Sequence, residues 1–347
     1  MEILEKVDLS SKSVLVRLDL DVPIRNGQII DDTRLVEGEP VLRFLLERGA
    51  RITIIGHLGR PALTRRSGPE GREVPAFRIE PVRVWLQERF PKVIVLENLR
   101  FDPGEAQNSL FYAQDIVRHS QAEFYVFDAF AVSHREHASV IQIPKLLPTA
   151  MGFRMRDELE ALGKVLDAPK RPLVFILGGA KPETKLPLVS KLLAVADAIL
   201  VGGTLPLALS DHGDIVDNSK IHVATLAPDR RDISQDSAQE FSQKIMEAGT
   251  VVWNGPMGRF EESINALTHQ SINESDIHGT SAWGTYVVAK AVNDSPAYTV
   301  IGGGDTEVAA TAFDAESGID WVSSGGGAML HFLAYRTLPF LEAIREK

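Results

Sequence analysis

Short apolar runs rich in valine and isoleucine recur along the chain, and stretches with helical spacing separate many of them. Continuous apolar runs of this length are typical of strands that are buried on both faces of a parallel sheet. Nine runs fit this description: SVLVRLDL, RITIIG, KVIVLEN, FYVFDAF, PLVFILGG, AILVGG, TVVWNGP, YTVIGGGD and WVSSGGG. Segments such as 33–50 and 76–90 carry the spacing of amphipathic helices. The alternation of strand and helix predicts an α/β, doubly wound fold.

One helical pattern near the middle of the chain divides it. The stretch RMRDELEALGKVLDAPKRP, residues 154–172, places Leu159, Leu162 and Leu166 on one face and ends at prolines. We predict an interdomain helix over 154–170, which joins a parallel-sheet domain over 1–153 to a second one over 171–333. The alternative is a surface helix within one large domain, which a length of 347 residues also permits.

Charged residues and glycines are distributed unequally between the two halves. Glycine clusters close apolar runs in ILGGAK, LVGGT, NGPMG, IGGGDT and SSGGGA, all after residue 170. Arginine and histidine instead mark HLGR, LENLRF and SHREHAS, all before residue 140. Because open α/β sheets bind ligands at the carboxyl ends of their strands, this split predicts two different sites.

The glycine-rich half has the features of a nucleotide site. Glycine lets backbone N–H groups approach phosphate oxygens, and a helix N-terminus favours an anion. In GGAKPETK, Lys181 and Lys185 stand four residues apart and face the same way on a helix, so an anion would relieve their repulsion. The alternative is a solvated, basic helix start. In GGGDT, Asp305 suits Mg²⁺ and Thr306 suits a phosphate, or both are helix caps.

The sequence carries neither of the two common nucleotide motifs. There is no GxxxxGK[ST] pattern, and no GxGxxG follows the first strand. A nucleotide site in this chain therefore belongs to neither common class.

The first half predicts a site for a small anion. Five basic residues stand at or just past apolar runs, and two aspartates follow the first strand. The basic residues are Arg34, His57, Arg60, Arg100 and Arg135, and the acids are Asp19 and Asp21. A single arginine at a strand end can be structural, but several at one sheet edge converge on one crevice. The planar guanidinium binds phosphate and carboxylate with two hydrogen bonds.

Composition narrows the class of partner. The chain is 44% hydrophobic and 24% charged, which is ordinary for a soluble globular protein, and it has a formal net charge of −10. The acidic balance argues against nucleic acid as the main partner. No apolar run reaches the roughly 18 residues that a membrane span needs. The start MEILEKVDLS has early acids, unlike a signal peptide, and cysteine is absent. We expect a cytoplasmic monomer with no membrane partner.

Read in order, the motifs resemble those of the phosphoglycerate kinase family over nearly the whole chain. The matching stretches are VLVRLDLDVP, IDDTRL, HLGRP, LENLRF, DAFAVSHREHAS, GGAKPETK, VVWNGPMGRFE, IGGGDT, SSGGGA and LPFLEAI. The resemblance implies two domains, a hinge that closes, and a terminal segment, 334–347, that returns to the first domain. It also implies phosphoryl transfer between 1,3-bisphosphoglycerate and ADP, which gives 3-phosphoglycerate and Mg-ATP.

The resemblance assigns a role to each matching residue. In the first half it puts the triose phosphate on His57, Arg60, Arg100 and Arg135, with the substrate hydroxyl on Asp19, Asp21 at the substrate, and Arg34 steadying the charge in transfer. In the second half it implies nucleotide contacts from Gly178, Gly179, Lys181, Lys185, Asn254, Pro256, Glu261, Gly303, Gly304, Asp305 and Thr306. Gly325 and Gly326 would hold the phosphate in the transition state. Arg34 and Lys185 would be the catalytic cations, and Asp305 would hold Mg²⁺.

The sequence departs from the family pattern at several points. Asp19-Leu20-Asp21 replaces Asp-Phe-Asn, and an aspartate beside a substrate carboxylate repels it unless it is protonated or paired. The segment DISQDS lacks a glycine–proline, and GGTLPL lacks a third glycine. Two stretches, from His57 to Arg100 and from Gly203 to Asp232, are short. Two alternatives therefore stay open: a kinase for another carboxylate, and a phosphate-binding or nucleotide-binding relative with little catalysis.

Overall fold

All nine predicted apolar runs form strands in the computed structural model, which describes residues 2–61, 77–209, 217–264 and 274–345. The chain separates into two compact units. The division falls between Leu159 and Glu160, and the chain crosses back between Arg336 and Thr337. Each unit is built around its own six-stranded sheet.

The sheet of the first unit is parallel throughout, in the order β1-β8-β7-β2-β5-β6. Its strands, with the separate β3–β4 hairpin, are β1 (Glu2–Ile3), β2 (Ser13–Leu18), β3 (Ile24–Arg25), β4 (Gln28–Ile29), β5 (Arg51–Ile55), β6 (Ile94–Val95), β7 (Phe124–Asp128) and β8 (Thr149–Met151). The hairpin turns at Asn26-Gly27, where both residues have positive φ, as a two-residue Asn-Gly turn requires.

Helices cover the first sheet and bury an apolar core that includes Leu15, Val16, Ile54 and Leu86. These helices span Thr33–Glu37, Glu39–Glu47, Glu80–Arg89, Pro103–Ala106, Leu110–Ser120, Ala138–Leu146 and Phe153–Asp167, and 3-10 turns span Leu4–Lys6, Leu99–Phe101 and Phe130–Val132. The stretch 33–50, predicted as one helix, forms two, because Gly38 and the proline that follows it interrupt the first.

The sheet of the second unit is also parallel throughout, in the order β11-β10-β9-β12-β13-β14. Its strands are β9 (Leu173–Leu177), β10 (Ala198–Val201), β11 (Ile221–Val223), β12 (Thr250–Asn254), β13 (Tyr298–Gly302) and β14 (Trp321–Ser323). The accompanying helices span Pro182–Leu192, Leu205–Leu209, Gln235–Met246, Phe260–Ile264, Glu274–Ile277, Trp283–Asp294, Gly304–Ala312 and Gly326–Tyr335. Two α/β parallel sheets confirm the predicted fold class.

The helix predicted over 154–170 spans Phe153–Asp167, and the division between the units falls inside it. It ends before Pro169, since the residue that precedes a proline avoids the helical conformation. The last helix, Pro339–Arg345, belongs to the first unit. There the ring of Phe340 stacks on Phe127 with the centroids 4.0 Å apart.

The strand orders identify where each sheet offers a ligand site. In the first sheet the connections run outward in opposite directions from the neighbours β2 and β7, and in the second from β9 and β12. A crevice opens at the carboxyl ends of the strands at such a reversal, and ligands of doubly wound sheets bind there. No helix in the described part of the chain combines the length and apolarity that a membrane span needs.

Candidate active site

Cations gather at the carboxyl edge of the first sheet. Arg60 follows β5, Arg100 lies in the 3-10 turn after β6, and Arg135 follows β7. Burial, together with the other guanidinium groups, lowers the pKa values of Arg100 and Arg135. Mutual electrostatic influence of this kind means that the side chains share one region. Such a concentration of positive charge on an acidic protein attracts small anions.

Two carboxylates hold parts of this edge in place. Asp19 accepts a hydrogen bond from Arg34 Nη1 at 3.0 Å. Asp21 accepts the Gly59 N–H at 2.7 Å and lies 3.8 Å from Arg100 Nη1. Arg100 in turn donates to the Gly59 carbonyl. Asp21 therefore anchors the loop that presents Arg60, and it is paired with a cation.

His57 lies within the field of the arginines and is only 2% exposed. Its Nε2 lies 2.7 Å from Glu105 Oε1, and Glu105 also accepts the backbone N–H and the hydroxyl of Ser139. His137 Nδ1 is 3.7 Å from the same oxygen. Burial and the nearby Arg17, Arg100 and Arg135 hold the pKa of His57 well below its usual range. His57 is therefore neutral near pH 7 while the site holds no anion.

Sequence reasoning missed three residues of this edge: Arg17, Glu105 and His137. Arg17 is 1% exposed on β2, and it donates to the Leu18 carbonyl. Its Nε and Nη2 have no hydrogen-bond partner among the described residues. The signal was an arginine within the apolar run SVLVRLDL, because a charge that is buried without a partner is costly unless a ligand balances it.

In the second unit, backbone loops converge at the reversal between β9 and β12. The Gly178 N–H donates to Asn254 O at 3.0 Å, and the Gly179 N–H donates to Pro256 O at 2.7 Å. A Cβ on Gly178 would lie 2.2 Å from Pro256 O, so only glycine permits this approach. Four residues of the predicted nucleotide set therefore lie next to one another: Gly178, Gly179, Asn254 and Pro256.

Lys185 also contacts these converging loops. Its Nζ donates to Gly178 O at 2.6 Å and to Asn254 O at 3.0 Å. Burial lowers the pKa of Lys185 to about 8, Asp305 opposes that shift, and Lys181 adds to it. Lys181 itself is exposed at the N-cap of the helix Pro182–Leu192. The two lysines and Asp305 therefore share one electrostatic environment.

The GGGDT segment does not follow the alternative in which Asp305 and Thr306 are helix caps. The N-cap of the helix Gly304–Ala312 is Gly303 with φ 101°, so Asp305 and Thr306 lie in the first turn and do not cap. Thr306 is buried, accepts the Gly255 N–H at 2.8 Å and donates to Gly302 O at 3.1 Å. Asp305 is exposed. Asp305 is therefore available to a ligand, whereas the Thr306 hydroxyl holds two loops together.

The remaining predicted residues of the second unit lie at the same carboxyl edge or just beyond it. Gly325 is the N-cap of the helix Gly326–Tyr335, and a Cβ on Gly326 would lie 2.4 Å from Asn254 Nδ2 and 2.8 Å from Gly303 Cα. Gly304 begins its helix, with open space where a Cβ would stand. Glu261 is exposed on the helix Phe260–Ile264.

DISQDS, one of the segments that lacks an expected family feature, begins with a buried acid. Asp232 is buried and accepts the N–H groups of Gly284 and Ile233 at 2.7 and 2.8 Å. Burial raises the pKa of Asp232 to about 7. Each of the two shortened stretches includes residues outside those described, 62–76 and 210–216.

A protein-family model described as phosphoglycerate kinase matches residues 4–227 and 211–336. The phosphoglycerate kinase of Rubrobacter xylanophilus is 35% identical over 399 residues, which cover 98% of this chain and 97% of the relative. That of Fervidobacterium nodosum is 32% identical over 404 residues, with 98% and 97% covered. Both alignments are longer than the 347 residues of this chain, so the chain is shorter than these two relatives.

Solved structures agree with the sequence relatives. Phosphoglycerate kinase from Pyrococcus horikoshii matches with a TM-score of 0.79 and 28% identity, over 99% of this chain and 98% of that one. The Coxiella burnetii phosphoglycerate kinase matches with a TM-score of 0.77 and 28% identity, over the same shares of the two chains. The chain belongs to the phosphoglycerate kinase family.

Proposed function

We propose that the chain transfers a phosphoryl group between 1,3-bisphosphoglycerate and ADP, which gives 3-phosphoglycerate and ATP. The observation that carries this function is family membership over nearly the full length. Both predicted sets of ligand residues also lie mainly at the carboxyl edges of their sheets, where doubly wound folds bind ligands. The two alternatives, another carboxylate kinase and a weakly active binding protein, have no support from the relatives.

The triose phosphate belongs, in this proposal, to the first unit. Arg60, Arg100 and Arg135 supply the positive charge that a phosphate requires. Asp19 would accept the substrate hydroxyl, with Arg34 held beside it at 3.0 Å. Asp21 would act on the substrate indirectly, because its Oδ1 accepts the Gly59 N–H and its Oδ2 faces Arg100. His57 would be part of the same phosphate site as these arginines.

The nucleotide belongs, in this proposal, to the second unit. Gly303 and Gly304 lie between a strand end and a helix start, where backbone N–H groups suit phosphate oxygens. Gly178 and Gly179 would contact the nucleotide through their close backbone packing, because their N–H groups already donate to Asn254 O and Pro256 O. Lys181 and Lys185 add charge, and Asn254, Pro256 and Thr306 fix the loops. Glu261 would contact the ribose, and Gly325 and Gly326 would border the transferred phosphate.

Asp305 fits the role of a Mg²⁺ ligand. It is an exposed carboxylate in the first turn of a helix, and its charge is felt by Lys185. Mg²⁺ is commonly held by one or two carboxylates with substrate phosphates and water. When bound with the nucleotide, the ion would neutralise charge on the phosphate oxygens.

Little covalent chemistry is required of the protein. The carboxylate of 3-phosphoglycerate is already a nucleophile, so no general base is needed. Catalysis then rests on positioning and on stabilising the charge of the equatorial phosphate oxygens. Arg34 and Lys185 are the protein cations proposed for that role. Transfer requires that the ligands meet and that water is excluded, so domain closure remains part of the proposal.

The test is a coupled assay of ATP turnover with 3-phosphoglycerate, run beside glycerate and other small carboxylates with Mg²⁺ present. We expect turnover with 3-phosphoglycerate and little with the others. Arg100→Ala should raise the KM for 3-phosphoglycerate, whereas Arg118→Ala, at an exposed position on Leu110–Ser120, should not. A folded sample that neither turns over nor binds 3-phosphoglycerate in calorimetry would refute the function. Cytoplasmic location and a monomeric state remain predictions.

A further inference from the structure

Three titratable side chains, two buried and one half-buried, lie close together within reach of the field of the arginines, and phosphoryl transfer does not use two of them. We call His57, Glu105 and His137 the histidine–glutamate cluster. Glu105 is fully buried in the short helix Pro103–Ala106, and His57 is 2% exposed after β5. The two imidazole rings are in edge contact, with centroids 5.2 Å apart.

Hydrogen bonding defines the protonation of this cluster. Glu105 Oε1 faces the Ser139 hydroxyl at 2.6 Å and His57 Nε2 at 2.7 Å, and Oε2 accepts the Ser139 N–H at 3.0 Å. A carboxylate only accepts, so His57 carries its proton on Nε2. His57 Nδ1 is then a bare, buried acceptor with no hydrogen-bond partner among the described residues. Such an atom would repel an anion.

The charges around the cluster explain why its two imidazole rings are neutral. Burial and the cations Arg17, Arg100 and Arg135 lower the pKa of His57, and they lower that of His137 to about 4 against the opposing effect of Glu105. The other groups that face this region are the phenols Tyr112 and Tyr125, which feel Glu105, and the acids Asp19 and Asp21, which face Arg135.

We propose that the cluster takes up one proton from solvent when an anion fills the site, so that His57 becomes an imidazolium held by Glu105. An anion cancels the field of the arginines that keeps the proton away, while the fixed charge of Glu105 remains. The proton goes to Nδ1, which turns a bare acceptor into a donor. Glu105 is therefore a positioning residue and the counter-charge of this step. The inference rests on the proposed function only for the identity of the natural anion.

A divalent metal is the competing occupant, because ligand atoms of the three side chains lie within 4.8 Å of one another. Two observations argue against it. His57 Nε2 and Glu105 Oε1 already bond each other at 2.7 Å, which leaves no room between them for an ion. Three guanidinium groups add positive charge to the same region. A proton on the free ring nitrogen fits both observations.

The experiment is calorimetric titration of the full chain with sulfate at pH 6.5 to 7.5, in two buffers with different ionisation enthalpies. Sulfate has no titratable proton in this range, whereas a phosphate ester with a second pKa of about 6 would release one. We expect uptake of a fraction of a proton, up to about one per sulfate, and tighter binding as pH falls.

A second measurement locates the proton. In protein labelled with ¹⁵N-histidine, the ring nitrogen resonances distinguish a bare from a protonated Nδ1. The His57 Nδ1 signal should change from bare to protonated when sulfate is added. His57→Gln identifies the signal.

Variants connect the uptake to the cluster. Glu105→Gln keeps the shape and removes the charge, so proton uptake should fall towards zero, and His57→Gln should do the same. His222→Gln is the matched control, because it breaks the His222–Glu240 pair, 3.1 Å apart on the second unit, and should leave uptake unchanged.

Three outcomes would overturn the inference. Sulfate that binds without proton uptake, or a His57 Nδ1 that stays bare in the complex, would contradict it. So would Zn²⁺ that binds alone and displaces sulfate. Each of these leaves the proposed function standing, whereas a protein that binds neither sulfate nor 3-phosphoglycerate fails both.

Discussion

At the scale of single residues, Lys185 holds two backbone loops together and is also the cation proposed to stabilise the transition state. Its Nζ is held by the carbonyls of Gly178 and Asn254, and burial lowers its pKa to about 8. We predict that Lys185→Ala lowers kcat by about 10²-fold or more, as expected when a cation that stabilises the transition state is removed. Since only protonated Lys185 carries the charge, kcat/KM of the parent should also fall as pH rises through about 8.

The control for this prediction is Lys191→Ala, an exposed lysine in the last turn of the same helix. Its turnover and pH profile should equal those of the parent. Steady-state kinetics from pH 6 to 9 measure both variants. A Lys185→Ala enzyme with parental kcat would show that the lysine only supports the loops.

Asp21 is the residue at which this chain departs from the family pattern within the anion site. Asn at this position can still accept the Gly59 N–H, but it no longer competes for Arg100, which lies 3.8 Å away. We predict that Asp21→Asn lowers the KM for 3-phosphoglycerate several-fold near neutral pH.

The measurement is KM for 3-phosphoglycerate from pH 5.5 to 8. Asp115→Asn serves as the control, because Asp115 pairs with His119 on a surface helix. Equal constants for parent and Asp21→Asn at every pH would remove Asp21 from substrate choice.

At the scale of elements, Asp128 connects the end of β7 to the start of the helix Phe153–Asp167. Its Oδ1 accepts the Met155 N–H at 2.8 Å, and burial raises its pKa to about 7. Because the folded-state pKa is above that of the unfolded chain, the neutral acid stabilises the fold. That stabilisation is complete below about pH 4 and is lost as pH rises through about 7.

Asp128→Asn should therefore gain stability relative to the parent as pH increases. Urea denaturation at pH 5, 6, 7 and 8 gives the free energy of unfolding of both proteins. The difference between them should change steadily in favour of the variant, whereas Asp236→Asn, at an exposed position, should show no such trend. A difference that is constant with pH would mean that Asp128 does not titrate in this range.

Two glycine-to-alanine changes should have opposite effects on stability, because a new Cβ would meet different surroundings at the two positions. At Gly326 a Cβ would meet the backbone of Gly303 at 2.8 Å and Asn254 Nδ2 at 2.4 Å. We predict that Gly326→Ala costs roughly 1–3 kcal/mol of unfolding free energy. Gly163 lies inside the helix Phe153–Asp167 with space around it, so Gly163→Ala should gain roughly 0.5–1 kcal/mol. Thermal denaturation that moves both variants in one direction would contradict this.

At the scale of the whole molecule, the sequence predicts the strands that form from continuous apolar runs. It misses the contacts that arise only when distant parts of the chain pack together. All nine predicted strands exist, but the short strands β1, β8 and β11 have no run that could have revealed them. The arginines at strand ends were predicted from position alone. Glu105 was not, because its partner Ser139 lies 34 residues away and only the fold brings them together. Thr306 was assigned to a phosphate, which remains a prediction, but its two backbone bonds could be found only in three dimensions.

The separation of charge and glycine between the two units predicts that each unit binds its own ligand. Arg100 belongs to the proposed anion site of the first unit, and Lys185 contacts the glycine loops of the second. In calorimetry of the full chain, Arg100→Ala should weaken 3-phosphoglycerate at least several-fold and leave the Kd of Mg-ADP unchanged. Lys185→Ala should weaken Mg-ADP and leave 3-phosphoglycerate unchanged. The reason is that each substitution removes a charge from one sheet edge only, and effects on independent sites add. If either substitution weakened both ligands equally in a folded protein, the two ligands would share one site, and the division of roles between the units would be wrong.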